Sequence, residues 1–151
     1  MSEQVDDRPS VLFVCVKNGG KSQMAAGLMR HLAGDQVQVD SAGTRPGKDL
    51  NAESVASLHE VGIDISDEAP KPVTDKLVRA ADLVVVLGGD AEVVPLDGTP
   101  VETWDTDEPS TRGIEGPERM RLVRDDIAAR VEELAQRLGV RQDERPSPPE
   151  F

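Results

Sequence analysis

Leu83 to Leu87 reads Leu-Val-Val-Val-Leu and stops at Gly88 and Gly89. Successive side chains of a strand point to opposite faces, so a strand that is apolar throughout needs cover on both faces, the condition of a parallel sheet flanked by helices. Val11, Leu12, Phe13 and Val14 repeat the pattern and end at Cys15. Around these runs apolar residues recur at helical spacing. Met24, Leu28 and Leu32, flanked by Ala25 and Met29, define a first helix that Gly34 closes. Val55, Leu58 and Val61 define a second, capped by Asn51 and stopped by Gly62. Met120, Val123, Ile127, Val131, Leu134 and Leu138 define a long last helix, opened by Gly116 and Pro117 and ended by Gly139. Thr74 caps a shorter helix through Leu77 and Ala80, and residues 36–41 and Val101–Trp104 are weaker strand candidates. Strand alternating with helix predicts an α/β fold, a doubly wound parallel sheet with helices on both faces.

A chain of 151 residues predicts one domain. We place it at 10–140, between a polar N-terminal tail at 1–9, expected to be disordered, and a Pro-rich C-terminal tail at 141–151 with Pro146, Pro148 and Pro149. With 17 Lys+Arg against 29 Asp+Glu the formal charge is −12, which disfavours nucleic acid and anionic membrane as partners. An anion would need a local device to bind. The single cysteine cannot form an internal disulfide, no apolar run is long enough to span a membrane, and the first ten residues do not resemble a secretory signal. These features predict a cytoplasmic protein with a reduced thiol.

Cys15-Val16-Lys17-Asn18-Gly19-Gly20-Lys21-Ser22 joins the first strand to the first helix, where open α/β sheets place their ligand crevice. Successive backbone amides and the helix N-terminus make an oxyanion cradle there, with contacts expected from Val16, Lys17, Asn18, Gly19, Gly20 and Lys21. Gly19 and Gly20 are expected to supply backbone angles that a side chain would obstruct. Cys15 at the rim is the candidate nucleophile and Ser22 the donor that keeps it a thiolate, while Asn18 braces the loop. Gly20-Lys21-Ser22 also matches the end of a nucleotide-binding loop, but Cys15 stands where that motif starts with glycine.

Trp104-Asp105-Thr106-Asp107-Glu108-Pro109 follows a late strand and hangs over the same crevice. A carboxylic acid in this loop could protonate an oxygen leaving the tetrahedral centre; Glu108, fixed by the following proline, is the first candidate and Asp107 the second. His31 and His59 fall within helices without a partner pattern, and no metal-ligand spacing occurs.

Cys15, five residues, Lys21 and Ser22, then Gln23-Met24-Ala25, together with Asp40-Ser41-Ala42-Gly43-Thr44, resemble the low-molecular-weight tyrosine phosphatase superfamily, and within it the arsenate reductases. The resemblance runs from about Val11 to Gly139. It implies a flavodoxin-like four-stranded parallel sheet in the order 2-1-3-4, Cys15 as nucleophile, Ser22 as thiolate stabiliser, Asn18 and Ser41 as loop support, and the residue before Pro109 as general acid. Phosphatases of the group close the loop with arginine and present aromatic residues beside the acid; here Lys21 closes it and the chain has no tyrosine. Thioredoxin-coupled arsenate reductases pass a disulfide between further cysteines, which this chain lacks, and Ala26 replaces their potassium-site glutamate. What remains is similar to single-cysteine arsenate–mycothiol transferases. That implies arsenate as substrate, mycothiol as low-molecular-weight thiol co-substrate, a mycoredoxin or glutaredoxin-like protein as partner, no metal and no tightly bound cofactor. A phosphatase acting on tyrosyl or small phosphoesters and a non-catalytic oxyanion-binding protein remain open beside it.

Overall fold

The computed structural model describes residues 8–95 and 98–141; the tails expected at 1–9 and 141–151 lie outside these residues apart from Arg8, Pro9 and Arg141. Four strands, β1 (Ser10–Cys15), β2 (Gln38–Gly43), β3 (Leu83–Leu87) and β4 (Val101–Trp104), form one sheet in the order β2-β1-β3-β4. Every pairing is parallel. Helices α1 (Lys21–Ala33), α2 (Ala52–His59), α3 (Asp75–Ala80) and α4 (Gly116–Arg137) connect and cover it. This is the α/β architecture and strand order that the resemblance implies.

The unbroken apolar strands are explained by the packing. Val11, Phe13, Val85 and Leu87 face one way, into a core shared with Met24, Leu58, Ile127, Val131 and Leu134 of α1, α2 and α4. Leu12, Val14, Val84 and Val86 face the other way, against Val78 of α3 and Ala81 and Ala91. Three helices thus cover one face, while a six-residue helix and loop residues cover the other.

Local capping sets the helix starts. The Asn51 side chain accepts from Ser54 N at 2.9 Å and Thr74 Oγ1 from Leu77 N at 3.2 Å. The second strand begins later than the alternation of Val37 and Val39 suggests, because Gly34–Gln36 forms a 3-10 turn and the Gln36 side chain is engaged with the backbone of Arg141. It also runs two residues further, to Gly43, since register with β1 pairs Ala42 with Val14 and Gly43 with Cys15. Among the described residues no helix is long and apolar enough to cross a membrane.

Phe13 is fully buried, its ring centroid 5.9 Å from that of Trp104, the sole tryptophan. Phe13→Ala leaves a cavity between β1 and the three-helix face. Urea unfolding followed by Trp104 emission is expected to show a loss of about 3–5 kcal/mol. An unchanged midpoint would mean that this face does not carry the core.

Candidate active site

Central strand β1 delivers Cys15 to the C-terminal edge of the sheet, and α1 begins six residues later. The segment after β2 runs alongside the connecting loop and takes its carbonyls. Thr44 N donates to Cys15 O at 3.1 Å, Arg45 N to Val16 O at 2.8 Å, Gly47 N to Lys17 O at 3.0 Å and Asn51 N to Gly19 O at 2.7 Å. With the oxygens turned outward, the amides of Lys17, Gly19 and Gly20 have no acceptor among the described residues. They are unengaged donors of the kind an oxyanion requires.

One residue bends the loop. Asn18 has φ +53°, alone among the described non-glycine residues in lying at positive φ. Asparagine tolerates this region because its short polar side chain bonds locally. Its backbone N–H donates to Cys15 Sγ at 3.2 Å and its Nδ2 to Ser22 Oγ at 2.8 Å, while its Oδ1 accepts from Lys71 N at 3.0 Å. The Lys71 contact fixes which end of the Asn18 amide is oxygen, so Nδ2 must face Ser22. Ser22 Oγ, already an acceptor, can then give its own hydrogen to Cys15 Sγ, 2.9 Å away. Two donors therefore converge on a sulfur whose residue is only 9% exposed.

The supporting shell differs from expectation in three places. The Ser41 hydroxyl makes no hydrogen bond to the loop among the described residues: Ser41 lies opposite Phe13 on β2, and its backbone N–H donates to Asp40 Oδ1. Gln23 takes that role. Fully buried, its Nε2 reaches Asn18 O at 3.1 Å, Asn18 Oδ1 at 3.3 Å and Ala69 O at 3.3 Å, stapling the loop to the segment before Lys71. Gly19 also serves differently, since it lacks positive φ, whereas Gly20 at φ −127° and ψ −97° has angles that a side chain disfavours, as expected. A Cβ on Gly19 would stand 3.0 Å from Asp49 O, and one on Gly43 only 2.7 Å from Val16 O, so close backbone approach is what demands them. Gly43 is the reason the strand end can carry the loop's outer support.

An open cavity of about 340 Å³ adjoins the loop, lined by Lys17, Gly19, Gly20 and Lys21 and, from α4, by Arg119 and Met120. Neither Lys17 nor Lys21 forms an ion pair among the described residues. Both charges are available to an anion.

The third difference concerns proton donation. Asp107 is held by Arg112 through bonds of 2.8 and 3.1 Å, and that guanidinium lowers its pKa from the ordinary value. Glu108 is gripped by Arg119 at both oxygens, each at 2.8 Å, and accepts from Ser110 Oγ at 2.8 Å; Arg119 is the main cause of its pKa of about 2. Both candidate general acids are therefore engaged by arginines that favour their carboxylate forms. Arginine partners within twelve residues downstream were the sequence signal for this, but many charges lie that close in this chain.

No cluster of three His, Cys, Asp or Glu side chains able to hold a metal occurs among the described residues. His31 and His59 lie in α1 and α2, away from the loop.

Removing the Ser22 hydroxyl leaves Cys15 Sγ with one donor. Ser22→Ala is expected to slow alkylation of Cys15 by iodoacetamide at pH 7 about tenfold, the equivalent of one charge-assisted hydrogen bond. An unaltered rate would remove Ser22 from the sulfur's environment. The Glu108–Arg119 pair predicts a pH signature as well. Its carboxyl drops from about 4.5 to about 2 on folding, so the stabilisation is complete above pH 4.5 and is lost as pH falls through 2. Because the Glu108 side chain is 36% exposed, solvent screening reduces this to about 1 kcal/mol. Arg119→Leu should lower unfolding free energy by that amount at pH 6 and by nothing measurable near pH 2. A difference independent of pH would trace the loss to packing.

The family model described as low molecular weight phosphotyrosine protein phosphatase matches residues 10–144. A relative from Shouchella clausii, described as arsenate reductase, is 38% identical over 132 residues, 83% of this chain and 94% of its own. Among solved structures, a thioredoxin-dependent arsenate reductase of Corynebacterium glutamicum superposes with TM-score 0.75 at 34% identity over 87% of this chain; the chain spans only 62% of that longer protein. Another, an arsenate reductase in its phosphate-binding state, gives TM-score 0.75 at 30% identity over 86% of this chain and 98% of its own. The fold, the bent cysteine loop and these likenesses agree, and the chain belongs to the low molecular weight phosphotyrosine protein phosphatase family, alongside its arsenate reductases.

Proposed function

We propose that the chain is an arsenate reductase in which Cys15 forms a bond to arsenic and an external low-molecular-weight thiol carries the arsenic away. The observation that carries this reading is the single cysteine, set on the floor of an anion loop with two donors on its sulfur. Arsenate reductases at 38% and 34% identity support the substrate, and a neighbour that holds phosphate supports the oxyanion geometry.

Arsenate is held by the amides of Lys17, Gly19 and Gly20 and by Lys21, with Lys17 at the cavity wall. The Cys15 thiolate attacks arsenic, a sulfur–arsenic bond forms and an arsenic–oxygen bond breaks. With dihydrogen arsenate, thiolate and substrate each bring one negative charge and give a doubly negative S-arsenate adduct and a neutral water, so both protons of the water come from the substrate. An outside thiol then displaces Cys15, returning it as a thiol and taking the arsenate group onto its own sulfur. A second thiol attacks that sulfur, yielding a disulfide and arsenite, the two-electron reduction of arsenic. Within these 151 residues no second cysteine exists to form the disulfide, so both thiols come from outside. Mycothiol is the proposed acceptor, and a mycoredoxin or glutaredoxin-like protein the proposed finisher. Work in a reducing cytoplasm would keep Cys15 competent.

Phosphoester hydrolysis is the second reading, favoured by the family's description and by the phosphate-bound neighbour. Against an aryl ester, Phe13 and Trp104 are both buried in the core, which leaves no exposed aromatic ring beside the loop among the described residues.

A coupled arsenate assay separates these readings. Arsenite release is expected with mycothiol and mycoredoxin and is expected to be far slower with thioredoxin alone, and Cys15→Ser should reduce it by at least about a thousandfold. Rapid release with thioredoxin alone would contradict the external-thiol route. Fast aryl phosphate turnover without thiol, and none of arsenate, would favour the phosphatase.

A further inference from the structure

Glu108 stands before Pro109, the position from which the resemblance expects a proton donor, yet its oxygens are already engaged. Arg119 Nε meets Oε2 and Nη2 meets Oε1, each at 2.8 Å, and Ser110 Oγ adds a bond of 2.8 Å to Oε2. A planar guanidinium matched to a carboxylate in this way stabilises the anion and fixes its orientation. Arg119 brings Glu108 to the loop's side of the molecule, because Arg119 lines a cavity together with Lys17, Gly19, Gly20 and Lys21. The groups facing the pair are mostly acids: Glu115 at the α4 cap, Glu53 on α2 and Asp107 on the loop. Asp107 cannot substitute, being paired with Arg112.

We propose that Arg119 is a specificity-determining residue: by holding Glu108 as a carboxylate, it confines Cys15 chemistry to oxyanions whose departing oxygen brings its own protons. This rests on the arsenate reading of the same site. Arsenate fits, as the thiolate and dihydrogen arsenate yield the sulfur–arsenic adduct and water with no proton from the protein. A phosphate monoester dianion does not. There the thiolate and the ester give a doubly negative S-phosphoryl adduct and an alkoxide, and a poor leaving group departs only if an acid protonates its oxygen as the oxygen–phosphorus bond breaks. A carboxylate clamped by Arg119 cannot deliver that proton. Arg119 thus acts through Glu108 as a positioning residue, and suppresses the ester hydrolysis that the loop could otherwise perform.

The test compares wild type, Arg119→Leu, Arg119→Lys and the double variant Arg119→Leu/Glu108→Gln. Each is assayed at pH 6 with arsenate plus thiol and with phosphate monoesters of graded leaving-group basicity. Returning the Glu108 carboxyl from about 2 to its ordinary 4.5 raises its protonated fraction at pH 6 by about 300-fold, the ceiling for the gain. Arg119→Leu is expected to raise kcat/KM for alkyl phosphates at least about tenfold relative to arsenate turnover and to flatten the dependence on leaving-group basicity. Aryl esters with very acidic leaving groups should hardly respond. Arg119→Lys, which keeps a cation without the fork, should lie between, and Glu108→Gln in the double variant should cancel the gain. An unchanged slope in Arg119→Leu, or a gain that survives Glu108→Gln, overturns the assignment. Should wild type turn over no arsenate with any thiol, the functional reading falls while the ester slopes still judge Arg119.

Discussion

Four carbonyls of the reactive loop, those of Cys15, Val16, Lys17 and Gly19, accept amides from residues 44–51. A peptide group whose oxygen is drawn outward must turn its N–H inward, so this ladder turns in the amides of Val16, Lys17, Asn18 and Gly20, and the Gln23 bond to Asn18 O does the same for that of Gly19. A helix N-terminus alone would offer only the amides of its first turn. The ladder extends the donor row back to the nucleophile, and the bend at Asn18 brings the row round to face Cys15 Sγ.

The sheet exists, in functional terms, to hold those two segments at backbone-contact distance. β1 and β2 are neighbours in register, Cys15 against Gly43, so both chains leave the sheet at the same level. From there only glycine at 43 permits the approach, and the isolated parallel bridge from Gly43 to Pro72 adds the segment that carries Lys71 and Ala69. Asn18 and Gln23 tie all three together. Gln23 Oε1 is buried without a partner among the described residues, so the amide is oriented by what its nitrogen gains. A loop braced from three directions is preorganised, and preorganised donors stabilise charge without reorganising during reaction.

Much of this is readable in the sequence, and the boundary has a physical cause. The strands and helices are legible because burial on two faces and on one stripe leaves periodicities that local residues carry, and because Asn51, Thr74 and Gly34 cap by local chemistry. Cys15, Ser22, Asn18 and Lys21 are legible because the loop's parts are contiguous. Gln23 stands out as part of a motif but not as a brace, because bracing depends on which side chain reaches across elements, and Ala69 is 46 residues from Gln23. Position before Pro109 suggests a proton donor, but protonation state is decided by partners, and Arg119 acts from another element. Sequence spacing shows where a carboxyl stands; it does not show what neutralises it.

The site also has to hold an anion within a chain of formal charge −12. At physiological ionic strength the Debye length is about 8 Å, so carboxylates scattered over the surface are largely screened from the loop. Several acids of α2 and of the loop after β4 are held individually, while Asp49 lines the cavity itself. Glu108 is bound by Arg119, Asp107 by Arg112 and Glu60 by Arg121 and Arg124, which consumes arginine after arginine in fixed forks. Lys17 and Lys21 are left without such partners, among the described residues, beside the unengaged amides. Division of labour between the two cations follows from their shapes. Arginine's planar fork is spent on immobilising carboxylates, while lysine's compact charge remains for a small tetrahedral anion whose orientation the backbone amides already dictate. On the proposed reading a lysine-closed loop is not a weakened arginine loop, since the unengaged main-chain amides supply the directional donors.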